Sequence, residues 1–303
     1  MVVAATGFFD GVHLGHREVV KQMCSYARRE GKESMIVTFW PHPRSVLQQD
    51  ADRLRLLTTL QEKKDLCASL GVDRFEVIPF SREFSLMSAR EFVSGYLRDR
   101  FGVSTLILGY DHRLGHDSFA NLEQMMEVVA SCGVEPVRIE RFDMESGAVS
   151  STLIRNRLSE GNIKDARLML GYRYGLCGVV VAGNRIGRTI GFPTANLQLY
   201  EPLKLVPRNG VYSVWVEVLG KTYKGICNIG RRPTIGEGNA LTIEVHILDF
   251  DEDIYGLDVK IEFEARLRDE MKFESLDALK KQLLSDREFA ASSMGQVDRI
   301  ILR

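Results

Sequence analysis

Val2-Val3-Ala4-Ala5-Thr6-Gly7-Phe8-Phe9-Asp10-Gly11-Val12-His13-Leu14-Gly15-His16 opens the chain with an apolar run and then a glycine-rich turn holding two histidines. Val2 to Ala5 reads as a strand, and Arg17 to Glu30 as a helix with Val20, Met23 and Ala27 at helical spacing and Gly31 as its stop. The stretch is therefore a strand-to-helix turn. Glycines let the backbone close on a ligand. A helix start offers free N–H groups and a partial positive charge, which suits phosphate. His13 and His16 stand at i and i+3, on one helix face, and should point into one pocket. A glycine-rich turn alone is a weak signal, and a lone loop histidine is usually an ordinary polar surface residue. Two glycines flanking two histidines behind an N-terminal strand form a more specific pattern. Neither histidine has the cysteine or acidic company of a convincing metal site.

Outward from this turn, strand and helix alternate. Ser34–Phe39 and Arg74–Phe80 are β-rich, and Thr105–Leu108 is a short buried strand ending in Gly109-Tyr110-Asp111. Trp40-Pro41-His42-Pro43 is a loop, because two prolines cannot continue a central strand. Thr59-Leu60-Gln61-Glu62 and Ser88-Ala89-Arg90-Glu91 have capping-box spacing and open helices. A helix over Asn121–Cys132 and a strand over Glu135–Ile139 follow. The alternation predicts a parallel sheet with helices on both faces. Ligands in such sheets bind beyond the carboxyl ends of the strands. The Gly7–His16 turn, the loop after Phe39 and the Gly109–Asp111 loop all fall on that edge.

Ser150-Ser151-Thr152-Leu153-Ile154-Arg155 begins another helix. Hydroxyls cap it, with Arg155 on its first turn. Alone, this would be an ordinary cap beside a solvated arginine; paired with the upstream histidine turn, it reads as a second phosphate clamp.

After a helix from Ile163 to Gly171 the pattern changes. Leu176–Ala182, Val211–Leu219, Tyr223–Ile229, Leu241–Asp249 and Leu257–Phe263 are short β-rich runs, with Gly220-Lys221 as a tight hairpin. This predicts an antiparallel barrel with C-terminal helices, where Leu276, Leu279 and Leu283 share a face and Ile300–Leu302 closes the core. Between the first two runs lies Gly183-Asn184-Arg185-Ile186-Gly187-Arg188-Thr189-Ile190-Gly191-Phe192-Pro193-Thr194-Ala195-Asn196. It is no Walker A loop, lacking GK[ST]. Thr194 and Asn196, at i and i+2 of an extended segment, face the same side and offer hard oxygens of the kind Mg²⁺ accepts.

With 303 residues, two domains of ordinary size are expected. A hydrophobic content of 45% permits proper cores, and a net charge of −1 gives no bulk electrostatic case for nucleic acid or membrane. The five cysteines are scattered, without metal or redox spacing. They fit reduced, packed thiols. No apolar run approaches the ~20 residues that span a bilayer, and the opening strand is not a signal peptide. A soluble cytoplasmic protein is expected.

The histidine turn with its downstream SSTxxR resembles the nucleotidyltransferase superfamily. More narrowly, the whole chain resembles the bacterial bifunctional riboflavin kinase/FAD synthetase family. The matching segments are Gly7–His16, Phe39–Arg44, Glu62-Lys63-Lys64, Gly71-Val72-Asp73, Pro79-Phe80, Gly109–Arg113 and Ser150–Arg155, then the GxxxGRxxGFPTAN stretch. Asn209–Tyr212, Asn228–Gly230, Arg232–Thr234, Glu244–His246, Asp249-Phe250, Tyr255-Gly256 and Arg266-x-Arg268-x-Glu270 continue the match. The chain departs from the family pattern at Phe8 and over Leu114–Ser118.

The resemblance implies a Rossmann-like FMN adenylyltransferase domain at 1–160, a linker helix at 161–173 and a β-barrel flavokinase domain at 174–303. It implies ATP and Mg²⁺ as co-substrate and cofactor, and riboflavin, FMN and FAD as substrates and products. Small molecules are thus the expected partners; nucleic acid and membrane are not. In the first domain His13, His16 and Arg155 would be catalytic. Gly7, Phe9, Asp10, Gly11, Gly15, Ser151 and Thr152 would surround the nucleotide. Asp111 is an adenosine contact or a structural loop acid. Pro41 and His42 help form the flavin pocket or merely sit on the loop. In the second domain Glu244 would accept the proton of the riboflavin 5′-hydroxyl, Thr194 and Asn196 would hold Mg²⁺, and Gly183, Gly187 and Gly191 would wrap the phosphates. Arg188 is a phosphate contact or a surface charge. Arg268 and Glu270 contact flavin or are simply solvated. His246 is assigned to a solvated strand face.

Overall fold

The computed structural model describes residues 1–47, 54–109, 113–139, 149–183, 187, 190–233 and 239–295. Asp111, Arg188 and Ile300–Leu302 lie outside these described residues. Contacts divide the chain into two compact units near Ser151/Thr152.

The first unit is a parallel sheet of β1 (Val2–Thr6), β2 (Glu33–Trp40), β3 (Arg74–Pro79), β4 (Val103–Leu108) and β5 (Glu135–Arg138), in the order β3-β2-β1-β4-β5. β1 is central, parallel to β2 and β4. Its alternate side chains enter two cores: Val2 and Ala4 meet Phe92, Val93 and Val129, whereas Val3 and Ala5 meet Val20, Met23 and Cys67. This is why its apolar run is continuous rather than alternating. The helices are α1 (Leu14–Arg29), α2 (Pro43–Leu47), α3 (Leu60–Ser69), α4 (Arg82–Ser85), α5 (Ala89–Glu91) and α6 (Leu122–Ser131). Both expected capping boxes form, at Thr59 and Ser88. From α5 the chain continues as a π-helix over Phe92–Arg100.

The atypical 114–118 loop has a packing role. Leu114 is buried in a core, the His116 N–H donates to the Met87 carbonyl at 2.9 Å, and the Asp117 carboxylate accepts from the Ala89 N–H. It fastens the start of α5.

The second unit holds α7 (Ser151–Ser159) from Thr152 onward, α8 (Ile163–Leu170), a barrel and α9 (Leu276–Ser293). The barrel strands are β6 (Gly175–Val181), β7 (Ala195–Leu199), β8 (Gly210–Val218), β9 (Lys221–Pro233), β10 (Asn239–Ile247) and β11 (Asp258–Arg268), closed in the order β10-β7-β6-β11-β8-β9. Every pair is antiparallel. α8 is tied to the barrel by Glu264, which accepts from Arg167 at 2.6 Å, Arg173 at 2.6 Å and Trp215 at 2.9 Å.

The extended segment expected to carry Asn196 forms β7, a full strand of the barrel. Three expectations need correction. The hairpin centres on Leu219-Gly220, both at positive φ (52° and 72°), with Val218 opposite Lys221; this is the primed turn that matches strand twist. On α9 the inward face is Leu279, Leu283, Asp286 and Ala290, while Leu276 is exposed. Among the described residues one C-terminal helix is present, not several.

Candidate active sites

The Gly7–His16 turn leaves β1 through a hydrogen bond from the Gly7 N–H to the Val37 carbonyl at 3.1 Å. Phe9, Gly11 and Val12 all have positive φ (47°, 82° and 36°). Two non-glycine residues in that region store strain, so something must hold the turn. Asp10 does so. Its carboxylate accepts from the Leu57 N–H at 3.0 Å and the Thr58 N–H at 3.1 Å, and the Thr58 hydroxyl in turn accepts from the Gly11 N–H at 3.0 Å. The Asp10 carbonyl accepts from the Ser151 hydroxyl at 2.9 Å. Asp10 is therefore a buried clamp rather than the phosphate contact expected from sequence. The Phe9 ring is in the core with Val3, Ala5 and Val12, which leaves its backbone as the part of Phe9 that can meet a nucleotide.

His13 caps α1, its Nδ1 accepting from the His16 N–H at 3.4 Å. The two imidazoles stack with centroids 3.7 Å apart and 16° between planes. Gly15 makes this possible, since a Cβ there would press on the His13 ring at 3.3 Å. The His16 Nδ1 is buried without a hydrogen-bond partner. Burial first, then the charges of His13 and Lys63, pull the His16 pKa well below its ordinary value. The buried His16 imidazole is thus held neutral beside His13 at the start of a helix. α7 starts at the Ser151–Asp10 hydrogen bond, and carries Thr152 and Arg155 in its first turns, with Arg155 Nη1 3.4 Å from the Thr152 hydroxyl. Pro41 and His42 follow β2; the His42 ring centroid lies 3.8 Å from that of Phe8.

In the second unit, β10 alternates as expected. Ile243, Val245 and Ile247 are buried, whereas Glu244 and His246 face the other way. Glu244 pairs across strands with Asn196 of β7 and Asn228 of β9, forming one polar row. The Asn196 amide lies in the space a side chain at Gly183 would take, 2.1 Å from an ideal Cβ. Gly187 is as close to the Phe192 carbonyl, 2.2 Å from its ideal Cβ, and Gly191 supplies a positive φ of 83° before Phe192. His246 is only partly solvated: its Nδ1 meets the Pro193 carbonyl at 2.8 Å and its ring lies 5.1 Å from Phe192. It holds the segment that carries Thr194.

Two cavities flank this segment. One, of about 240 Å³, is lined by Val180, Pro193, Ile247, Phe250, Ile254 and Tyr255 with the acidic run Asp251–Asp253. The other, of about 300 Å³, lies between Leu279 and Leu283 of α9 and Val211, Ile226, Asn228 and Glu244 of the barrel, with Arg268, Glu270 and Phe273. Thr194 lines both. Arg268 reaches the second cavity, but its guanidinium is committed to Asp286 of α9, at 2.7 and 3.1 Å. The Glu270 carboxylate lies over Gly230, 2.1 Å from an ideal Cβ there, and accepts from the Asn209 amide at 3.3 Å. Among the described residues, no group of three or more His, Cys, Asp and Glu is placed to hold a metal, and no helix is long and apolar enough to cross a membrane.

Comparison with known proteins agrees with this two-site layout. The FAD synthetase family model matches residues 1–153 and the riboflavin kinase model residues 170–294. Bifunctional riboflavin kinase/FMN adenylyltransferase from Listeria monocytogenes is 38% identical over 94% of this chain and 90% of its own length. The chain belongs to the bifunctional riboflavin kinase/FMN adenylyltransferase family. Family members of the same name from Bacillus subtilis and Escherichia coli are each 35% identical, covering 95% and 97% of this chain and 91% and 93% of their own. A crystallised Streptococcus pneumoniae chain, described as a macrolide-efflux protein, shares the fold of this family member at a TM-score of 0.87. It is 32% identical and covers 96% of this chain and 93% of its own.

Proposed function

We propose that this enzyme phosphorylates riboflavin to FMN in the second unit and adenylylates FMN to FAD, releasing pyrophosphate, in the first. The observation that supports the kinase assignment most directly is that two cavities meet at Thr194. The cavity beside Tyr255 takes the adenine of ATP. The cavity against α9 takes the flavin. The phosphoryl group crosses between them where Glu244, Asn196 and Thr194 converge. Glu244 accepts the proton of the riboflavin 5′-hydroxyl as its oxygen attacks the γ-phosphorus, and ADP leaves. The hydroxyl of Thr194 and the amide oxygen of Asn196 fit Mg²⁺, being hard donors seated where Gly183 leaves room for the amide. Bound there, the ion would neutralise charge on the ATP phosphates.

The adenylyl transfer needs no strong base, because the FMN phosphate is already an anion. It needs alignment and charge neutralisation at the α-phosphorus as pyrophosphate departs. The α1 N-terminus and the stacked His13–His16 pair supply donors. His42 and Pro41 meet the flavin. In a test with riboflavin, ATP and Mg²⁺, chromatography should show FMN and ADP, then FAD and pyrophosphate. Absence of any flavin nucleotide at every Mg²⁺ concentration, with oxidised or reduced flavin, would refute the assignment.

A further inference from the structure

Phe8 takes no part in the chemistry above, and Lys63 enters it only through its charge on His16. Lys63 sits in the first turns of α3, one turn before Cys67 on the same inward face, and is only 1% exposed. An ammonium at that depth is unfavourable unless it is compensated. Its Nζ lies 4.1 Å from the centroid of the Phe8 ring, over the face, where the ring quadrupole attracts a cation. The carboxylate of Asp10 also acts on it. Phe8 is fixed at its backbone by the Thr38 hydroxyl, which donates to the Phe8 carbonyl at 3.4 Å. The ring of His42 is tilted 57° against Phe8 at 3.8 Å. The His42 Nδ1 accepts from the Arg44 N–H at 3.0 Å, so the neutral ring carries its proton on Nε2.

We propose that Lys63 is a positioning residue for adenylyl transfer: its ammonium pins Phe8, and Phe8 holds His42 at the angle at which it meets the flavin of FMN. The inference rests on the assignment of His42 to the flavin pocket. Leucine at position 8 fills space but does not attract the ammonium, and methionine at 63 keeps the chain length without the charge. Either change frees one end of the stack.

Full-length F8L and K63M are each expected to raise the KM for FMN in FAD formation roughly three- to thirtyfold, with kcat within about twofold of the parent. F8Y, which keeps the ring, should retain the parent KM. The double variant F8L/K63M should have the KM of F8L, because both changes break the same Lys63–Phe8 contact. Riboflavin phosphorylation by the same samples should be unchanged. An unaltered KM in F8L and K63M, or effects that add in full, would overturn the proposal. Should K63M lose FAD formation altogether, the F8L and F8Y pair decides. If the parent enzyme itself makes no FAD, the assigned reaction fails rather than this inference.

Discussion

Lys63 carries its burial into the stability of the first unit. Burial, partly offset by Asp10, lowers its pKa from 10.5 to about 8. Below that value both folded and unfolded chains hold the proton, and the charge is buried at full penalty. Between it and the ordinary lysine value the unfolded chain binds more protons than the folded one, so stability rises with pH. The stability of the parent relative to K63M should therefore improve by about 3 kcal/mol from neutral pH to above 10.5, read by urea unfolding. Cys67, pushed up to about 12 by burial, pulls the other way but is present in both proteins. His16 gives a second expectation at this scale: H16A should lower FAD formation by about 10² or more while leaving FMN formation intact, as product assays on each substrate would show. The histidine pair was legible in sequence because i, i+3 spacing fixes a shared face. Asp10, Phe9 and Lys63 were not, because a clamp across 47 residues, from Asp10 to Leu57, leaves no local spacing.

Among the elements, α9 depends on a buried ion pair. Arg268 and Asp286 are 17% and 5% exposed at their side chains. D286A leaves an uncompensated guanidinium, so it should destabilise the second unit by about 3–5 kcal/mol and raise the KM for riboflavin, since Leu279 and Leu283 line that cavity. FAD formation from supplied FMN should not change. G183A should act more locally. Its Cβ displaces the Asn196 amide, a movable side-chain end, so kinase activity should fall and its Mg²⁺ requirement rise with the fold retained, checked by circular dichroism and Mg²⁺ titration. Helices with capping boxes were readable because their signals are local. β7, Ala-Asn-Leu-Gln-Leu, has no β-branched residue and becomes a strand by pairing with β6 and β10. Leu219 was misplaced for a similar reason: leucine disfavours positive φ, and the strand register imposes it.

For the whole molecule, the division into two units predicts separable chemistry. E244A should lower riboflavin phosphorylation by about 10²–10⁴ yet leave FAD synthesis from supplied FMN, the mirror of H16A. Equal loss of both activities in each variant would contradict two sites. The open sheet and the barrel were legible from the switch between helix-separated strands and closely spaced ones. The helices at the junction were harder to allot: α7 begins at the Ser151–Asp10 hydrogen bond, while most of it and all of α8 are contacted by the barrel unit.

The difference between the sheet and the barrel has a further consequence. A closed barrel offers no unpaired row of backbone donors and acceptors, whereas among the described residues the sheet of the first unit ends at β3 and β5. Such rims recruit strands from other chains. Here one rim ends in Pro79 and the other, four residues long, contains Pro136, so each rim lacks an N–H where a foreign strand would bond. Partial unfolding that lengthens either rim makes the first unit, not the barrel, the origin of clumping.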